Sequence, residues 1–108
     1  MSRNYTVKWT ATAEHDLDSI TGFIAEDSID EALRILEKIR KKAVGLNTLP
    51  ERGRVVPELK EQGIILYREI ILAPWRIIYR IAGQTVCVLA VLDARRNLED
   101  ILLERFIG

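Results

Sequence analysis

The stretch Leu66–Glu99, LYREIILAPWRIIYRIAGQTVCVLAVLDARRNLE, decides the fold. It divides at two turn signals. Proline has no amide to give to a strand ladder, so Ala73-Pro74 belongs in a turn. Ala82-Gly83-Gln84 closes a second hairpin, with glycine supplying a positive φ if the turn needs one. The segments on either side, about Ile64–Leu72, Trp75–Ile81 and Thr85–Leu92, predict a meander of three antiparallel strands. The third is almost wholly apolar, the pattern of a strand buried on both faces, which places it at the centre of the sheet. A short basic segment, Asp93-Ala94-Arg95-Arg96, then opens a last helix. Asn97 is its predicted cap, with Leu98, Ile101, Leu102 and Phe106 on its apolar side.

Three arginines, Arg68, Arg76 and Arg80, lie within these apolar strands. Such charges are either solvated on an open sheet face or held there for a partner. Side chains alternate across a strand, so Arg76 and Arg80 point the same way. A three-residue loop at Ala73–Trp75 would put Arg68 beside them, whereas a two-residue loop would send it to the opposite face. The sequence leaves that register open. Glu69, set among the arginines, reads as half of a cross-strand ion pair on a wet face rather than as a general base.

Upstream, Tyr5, Val7 and Trp9 alternate with polar residues as in a strand with one buried face. Thr10 or Thr12 can cap a helix of about Ala11–Glu26, with Glu14 and Asp16 in its favourable first turn and Ala13, Leu17, Ile20 and Ile24 as its apolar stripe. His15 lies off that stripe and is expected to be exposed. Ser28-Ile29-Asp30-Glu31 is a capping box for a second helix to about Asn47, which carries Ala32, Leu36, Ile39, Ala43 and Leu46 inward. Lys38, Arg40, Lys41 and Lys42 read as its solvated outer face. The short link between the two predicts a helical hairpin. Leu49–Arg54 breaks the helix, and Val55-Val56-Pro57-Glu58 reads as extended coil.

The order is therefore β-α-α-β-β-β-α: an α+β domain over residues 1–108, with the helical hairpin on one sheet face and the arginines on the other. With 108 residues, 48% apolar and 30% charged, the composition is that of one globular domain. No apolar run approaches the roughly 20 residues that span a bilayer, and Met1-Ser2-Arg3-Asn4 leads straight into a strand pattern, so a cytoplasmic protein without membrane contact is expected. One cysteine excludes an internal disulfide, and one histidine gives no metal-ligand spacing. Cys87, within Val86–Leu89, reads as a buried thiol. Sixteen basic residues balance sixteen acidic ones, which disfavours a protein that grips nucleic acid over many phosphates. No phosphate-binding glycine loop, nucleophile elbow or Cys/His pair is present. Chemistry would fall to Arg68, Arg76, Arg80, Arg95 and Arg96, and arginine clamps phosphate well but transfers protons poorly.

Tyr67-Arg68-Glu69-Ile70, Trp75-Arg76-Ile77-Ile78-Tyr79-Arg80-Ile81 and Val88-Leu89-Ala90-Val91-Leu92-Asp93-Ala94-Arg95-Arg96-Asn97-Leu98 resemble the RelE/ParE superfamily, the toxins of type II toxin–antitoxin modules. The opening Ala13-Glu14-x-Asp16-Leu17 of the hairpin and the Pro50-x-x-Gly53-Arg54 turn fit the same pattern, so the likeness covers nearly the whole chain.

The resemblance implies a growth inhibitor, of the kind that stabilises plasmids, neutralised by an antitoxin whose C-terminal segment folds as it docks. It offers two activities, neither with a cofactor or metal. RelE-like members cleave mRNA on the ribosome, and Arg68, Arg76 and Arg95 fall at basic positions of that site. A further basic position falls at Ile70 and the terminal-helix tyrosine near Ile101, so the groups that would move protons are missing. ParE-like members poison DNA gyrase. The Leu92-x-x-Arg95 segment resembles that branch, although Asp93 stands where histidine is more usual. ParE is the favoured branch, with no catalytic residue assigned, and Arg68, Arg76, Arg80, Arg95 and Arg96 are the candidate contacts to antitoxin or target. A non-toxic relative that only binds antitoxin is the third reading.

Overall fold

The computed structural model describes residues 4–107; the reading of Met1-Ser2-Arg3 as leading directly into a strand falls outside them. The described elements are β1 (Thr6–Trp9), α1 (Ala11–Ala25), α2 (Ile29–Val44), tight helical turns at Gly45–Asn47 and Pro50–Arg52, β2 (Arg54–Val55), α3 (Pro57–Lys60), β3 (Tyr67–Leu72), β4 (Trp75–Ala82), β5 (Thr85–Asp93) and α4 (Leu98–Phe106). The α+β class and the expected order hold, with two additions. Val55–Glu58 is not extended coil: Arg54 and Val55 pair with β3, and Pro57 starts a short helix, where its missing amide costs nothing.

The five strands lie in the order β1-β5-β4-β3-β2. The meander β3-β4-β5 is antiparallel, and β1 joins it parallel to β5, so the sheet is mixed. The middle strand is β4 rather than β5, and Trp75 through Tyr79 is buried without a break. In β5 the missing alternation has a second cause besides burial. Ile78 pairs with Ala90 but Tyr79 with Val88, so Leu89 is an extra residue, a bulge that reverses which side chains face which way. Val86 and Val88 therefore face one core, whereas Ala90 and Leu92 face another.

That first core lies under the α1–α2 hairpin, where Ala13, Leu17, Ile35, Ile39 and Ala43 meet Ile70, Ile77 and Tyr79. The opposite sheet face is not open. There α3 and α4 cover Ile78, Ala90 and Leu92 with Val56, Leu59, Leu98 and Leu102. Tyr67 and Phe106, ring centroids 4.7 Å apart, close its edge.

Local details depart from expectation where a side chain finds a better partner. Ser28 Oγ accepts the amide of Glu31 at 3.1 Å, but the Glu31 carboxylate turns to Arg34 instead of completing the box. Arg40 is not on the solvated face with Lys38, Lys41 and Lys42. It reaches across the hairpin to Glu14 with two hydrogen bonds of 2.8 and 2.6 Å and stacks 4.5 Å over the Trp9 ring. Thr10 caps α1 through the amide of Ala13, whereas the Asn97 side chain donates to Asp100 and caps nothing. Cys87 is only partly buried, and His15 is exposed as expected.

Candidate functional site

The turn at Ala73-Pro74 settles where the arginines go. Leu72 pairs directly with Trp75, leaving a two-residue loop with a cis peptide bond before Pro74. Arg68 then stands opposite Tyr79 on the hairpin side of the sheet, and Arg76 stands opposite Ile71 on the other. No face carries all three arginines.

Arg76 is buried in the space roofed by α3. Its Nε donates to Glu69 Oε1 at 2.6 Å, and its two terminal nitrogens each reach one oxygen of Glu58 at 2.7 Å. Glu69, 1% exposed, accepts on its other oxygen from Arg54 Nε at 2.6 Å. The cross-strand ion pair expected of Glu69 exists, but it is dry rather than wet, because β2 and α3 cover the face. The hydrogen bonds from Arg76 hold the Glu58 carboxyl below its ordinary range, against the opposing effect of burial. Glu58 raises the affinity of Arg76 for its proton in turn. A buried guanidinium whose three nitrogens each already donate to a carboxylate is poorly placed to hold a phosphate as well.

Arg68 serves a different structure. Its Nη1 donates to the carbonyls of Gly53 and Glu51 at 2.7 and 3.1 Å, while the Tyr79 hydroxyl donates to the carbonyl of Pro50 and accepts from the amide of Gly53. Together they pin the irregular Pro50–Gly53 segment over the sheet. The close approach leaves no room at Gly53, where a Cβ would fall within 2.6 Å of the Glu69 carbonyl and onto the Tyr79 hydroxyl. Burial pushes the Tyr79 phenol up.

The remaining three arginines are exposed. Arg80 shares the Arg76 side of β4 and lies beside Cys87 of β5. Arg95 folds back onto Asp93 with bonds of 2.9 and 2.7 Å, which hold the Asp93 carboxyl low. Arg96 lines a groove between α1, the end of β5 and α4, shared with His15, Ser19, Asp93, Ile101 and Glu104. Among the described residues, Arg80 and Arg96 pair with no carboxylate.

The base of that groove is a clasp. Asp16, placed in sequence terms as a first-turn acid, is buried and accepts two hydrogen bonds from Arg105, at 2.7 and 2.9 Å, and one from the amide of Val91 at 3.1 Å. It ties α1 to β5 and α4. Neither Arg105 nor Glu58 stood out in the sequence. Proline followed by glutamate at the start of α3 was the available signal for Glu58, since proline favours the first helical position and acids the first turn. Nothing local marks Arg105, whose partner lies 89 residues away.

Among the described residues, no group of three or more histidine, cysteine or acidic side chains could hold a metal, and no helix is long and apolar enough to cross a membrane.

Residues 7–98 match the family model of the ParE toxin of the type II toxin–antitoxin system parDE. Toxin ParE3 of Caulobacter vibrioides is 30% identical over 90 residues, which is 82% of this chain and 86% of that protein. Among solved structures, the chromosomal ParDE toxin–antitoxin system from P. aeruginosa superposes with a TM-score of 0.67 at 22% identity, covering 82% of this chain and 95% of that one. The toxin–antitoxin complex RelBE2 from Mycobacterium tuberculosis gives 0.63 at 26% identity, covering 84% and 92%.

Proposed function

The chain belongs to the ParE toxin family of type II toxin–antitoxin systems, and on that footing we propose that it inhibits growth by poisoning DNA gyrase and is neutralised by a cognate antitoxin. Residues 1–108 then form one toxin domain working in the cytoplasm, where gyrase and its DNA are found. The protein acts on an enzyme rather than as one, and needs no cofactor.

One observation carries the choice of target. The arginines that an mRNA-cleaving relative would gather round a phosphate are not gathered here. Arg76 is spent on Glu58 and Glu69, Arg68 leaves from the other sheet face to hold a turn, and Arg95 leans on Asp93. With Arg68, Arg76 and Arg95 held apart, charge developing at a scissile phosphate among them has no stabiliser. The cations turned to solvent, Arg80, Arg95 and Arg96, suit contacts with a macromolecule instead. The solved relatives include toxin–antitoxin assemblies, which supports an antitoxin partner here.

The test is induction of the protein in a bacterium that lacks the antitoxin. Growth should stop, with broken chromosomal DNA and a DNA-damage response before translation falls, and co-expressed antitoxin should restore growth. Cleaved mRNA on intact chromosomes would move the target to the ribosome. Unimpaired growth with folded protein present would make this a non-toxic, antitoxin-binding relative.

A further inference from the structure

Positive charge is concentrated on one surface of a chain whose sixteen basic and sixteen acidic residues cancel. On α2, Lys38, Lys41 and Lys42 stand three and four residues apart and so share a face, with Gly45 a turn further on. They border a hollow with Arg52 and Leu72. Lys42 and Arg52 also line a neighbouring hollow, where Arg54 joins them. All five cations are exposed, and among the described residues Lys38, Lys41, Lys42 and Arg52 pair with no carboxylate. The one acid lining either hollow is Glu69, which is 1% exposed and already bonded to Arg54 and Arg76.

Arg52 is held in place at the end of α2. Arg68 donates to the carbonyls of Glu51 and Gly53, and the Tyr79 hydroxyl accepts from the Gly53 amide, so the backbone is tied on both sides of Arg52. Its guanidinium lies over Gly45, where a Cβ would come within 2.7 Å of Arg52 Nη2. Glycine at that position leaves the room that lets an arginine from another element join the lysines. The dipole of α2 accounts for Lys41 and Lys42 in its last turn, but not for Lys38 before it or for Arg52.

We propose that this strip is a contact for the phosphate backbone of duplex DNA, met in the poisoned complex as the DNA that gyrase holds. The chemistry selects that partner. Lysine and arginine are the usual donors to phosphate oxygens, whereas lysine is depleted at the centre of protein–protein interfaces. No aromatic side chain lines either hollow, so the bases of a single strand find no platform to stack on. Such contacts position a duplex without reading its sequence. So few cations span only a few phosphates, which reconciles a local DNA contact with a chain of no net charge: binding is weak until gyrase brings the duplex close. The inference rests on the gyrase reading only for where the DNA is met.

The experiment titrates the 15N-labelled full chain with a duplex of roughly 20 base pairs and follows affinity against salt. Amide shifts should concentrate at Lys38–Gly45 and Arg52–Arg54. Affinity should fall by about a hundredfold between about 50 and 200 mM salt, as for about four phosphate contacts. In Lys42→Gln/Arg52→Gln the salt slope should drop by about two and binding by about tenfold or more. Lys8→Gln/Lys60→Gln removes the same charge from exposed sites outside the strip and should leave binding within about twofold. Both variants should keep the parent's melting midpoint, and with gyrase the strip variant should yield less linear DNA than the parent. No shift at low salt, equal loss in the two variants, tighter binding of single-stranded RNA at the same residues, or undiminished linear DNA from the strip variant would overturn the proposal. The duplex titration contains no gyrase, so its failure leaves the gyrase reading standing. A parent that binds the duplex yet produces no linear DNA would instead keep the DNA contact and remove gyrase as its setting.

Discussion

Arg76 Nε donates to Glu69 Oε1 across 2.6 Å, in a part of the sheet where neither residue is more than 7% exposed. The same guanidinium takes both oxygens of Glu58 from α3, so one cation joins β4, β3 and α3. Truncating Arg76 leaves Glu58 without its partner and takes one of two cations from the buried Glu69. Arg76→Ala is therefore expected to cost about 3–5 kcal/mol of stability, read from the midpoint of urea denaturation. A variant that unfolds like the parent yet loses toxicity would instead make Arg76 a contact residue.

The Glu58 carboxyl, held low by Arg76, ties this group to pH. A carboxyl whose folded pKa lies below its unfolded value stabilises the fold above the unfolded pKa and loses that contribution as pH falls through the folded one. Stability should accordingly decline as pH drops below the ordinary value of 4.5. Glu58→Gln should flatten the part of that decline due to this side chain, in denaturation curves taken between neutral and strongly acid pH.

Tyr79 offers a test on the other core. Its hydroxyl meets the carbonyl of Pro50 and the amide of Gly53, and Tyr79→Phe leaves both without that partner inside the protein. A loss of about 1–3 kcal/mol is expected in thermal or urea unfolding. Gly53→Ala should be harmful through the same contact, because the added methyl collides with the phenol and with the Glu69 carbonyl.

Asp16→Asn removes one charge from the clasp that holds α4. The two bonds from Arg105 lose their ionic partner, so amide exchange over Leu98–Phe106 should speed by about tenfold or more, while the Trp75–Tyr79 amides of β4 stay protected. Arg95→Ala, which touches only Asp93 at the surface, should leave α4 exchange unchanged. Equal protection in Asp16→Asn and the parent would mean that apolar contacts alone hold the helix.

Elements whose cause is local are legible in the sequence. Alternation and turn residues marked β3, β4 and β5, and the apolar stripes with Thr10 and Ser28 marked the two long helices. The features that are not legible there depend on distance. Two residues of β2 gain their identity only by pairing with β3, and the bulge at Leu89 hides inside a run that is apolar on both sides. The arginines were visible as anomalies in apolar strands, but their roles were not. Arg76 needed Glu58, 18 residues away, and a roof from α3 and α4 over a face expected to be open. The register at Pro74 decided Arg68, and it was set by a two-residue turn that the residues alone left undecided.

We propose that this fold poisons gyrase rather than cutting RNA. The most direct test adds the purified protein to DNA gyrase with relaxed plasmid and ATP, and separates the products on a gel after detergent and protease. Loss of supercoiling is expected, with linear DNA accumulating, both diminished in an Arg95→Ala/Arg96→Ala variant that unfolds like the parent. Full supercoiling and no linear DNA in the presence of folded protein would contradict it.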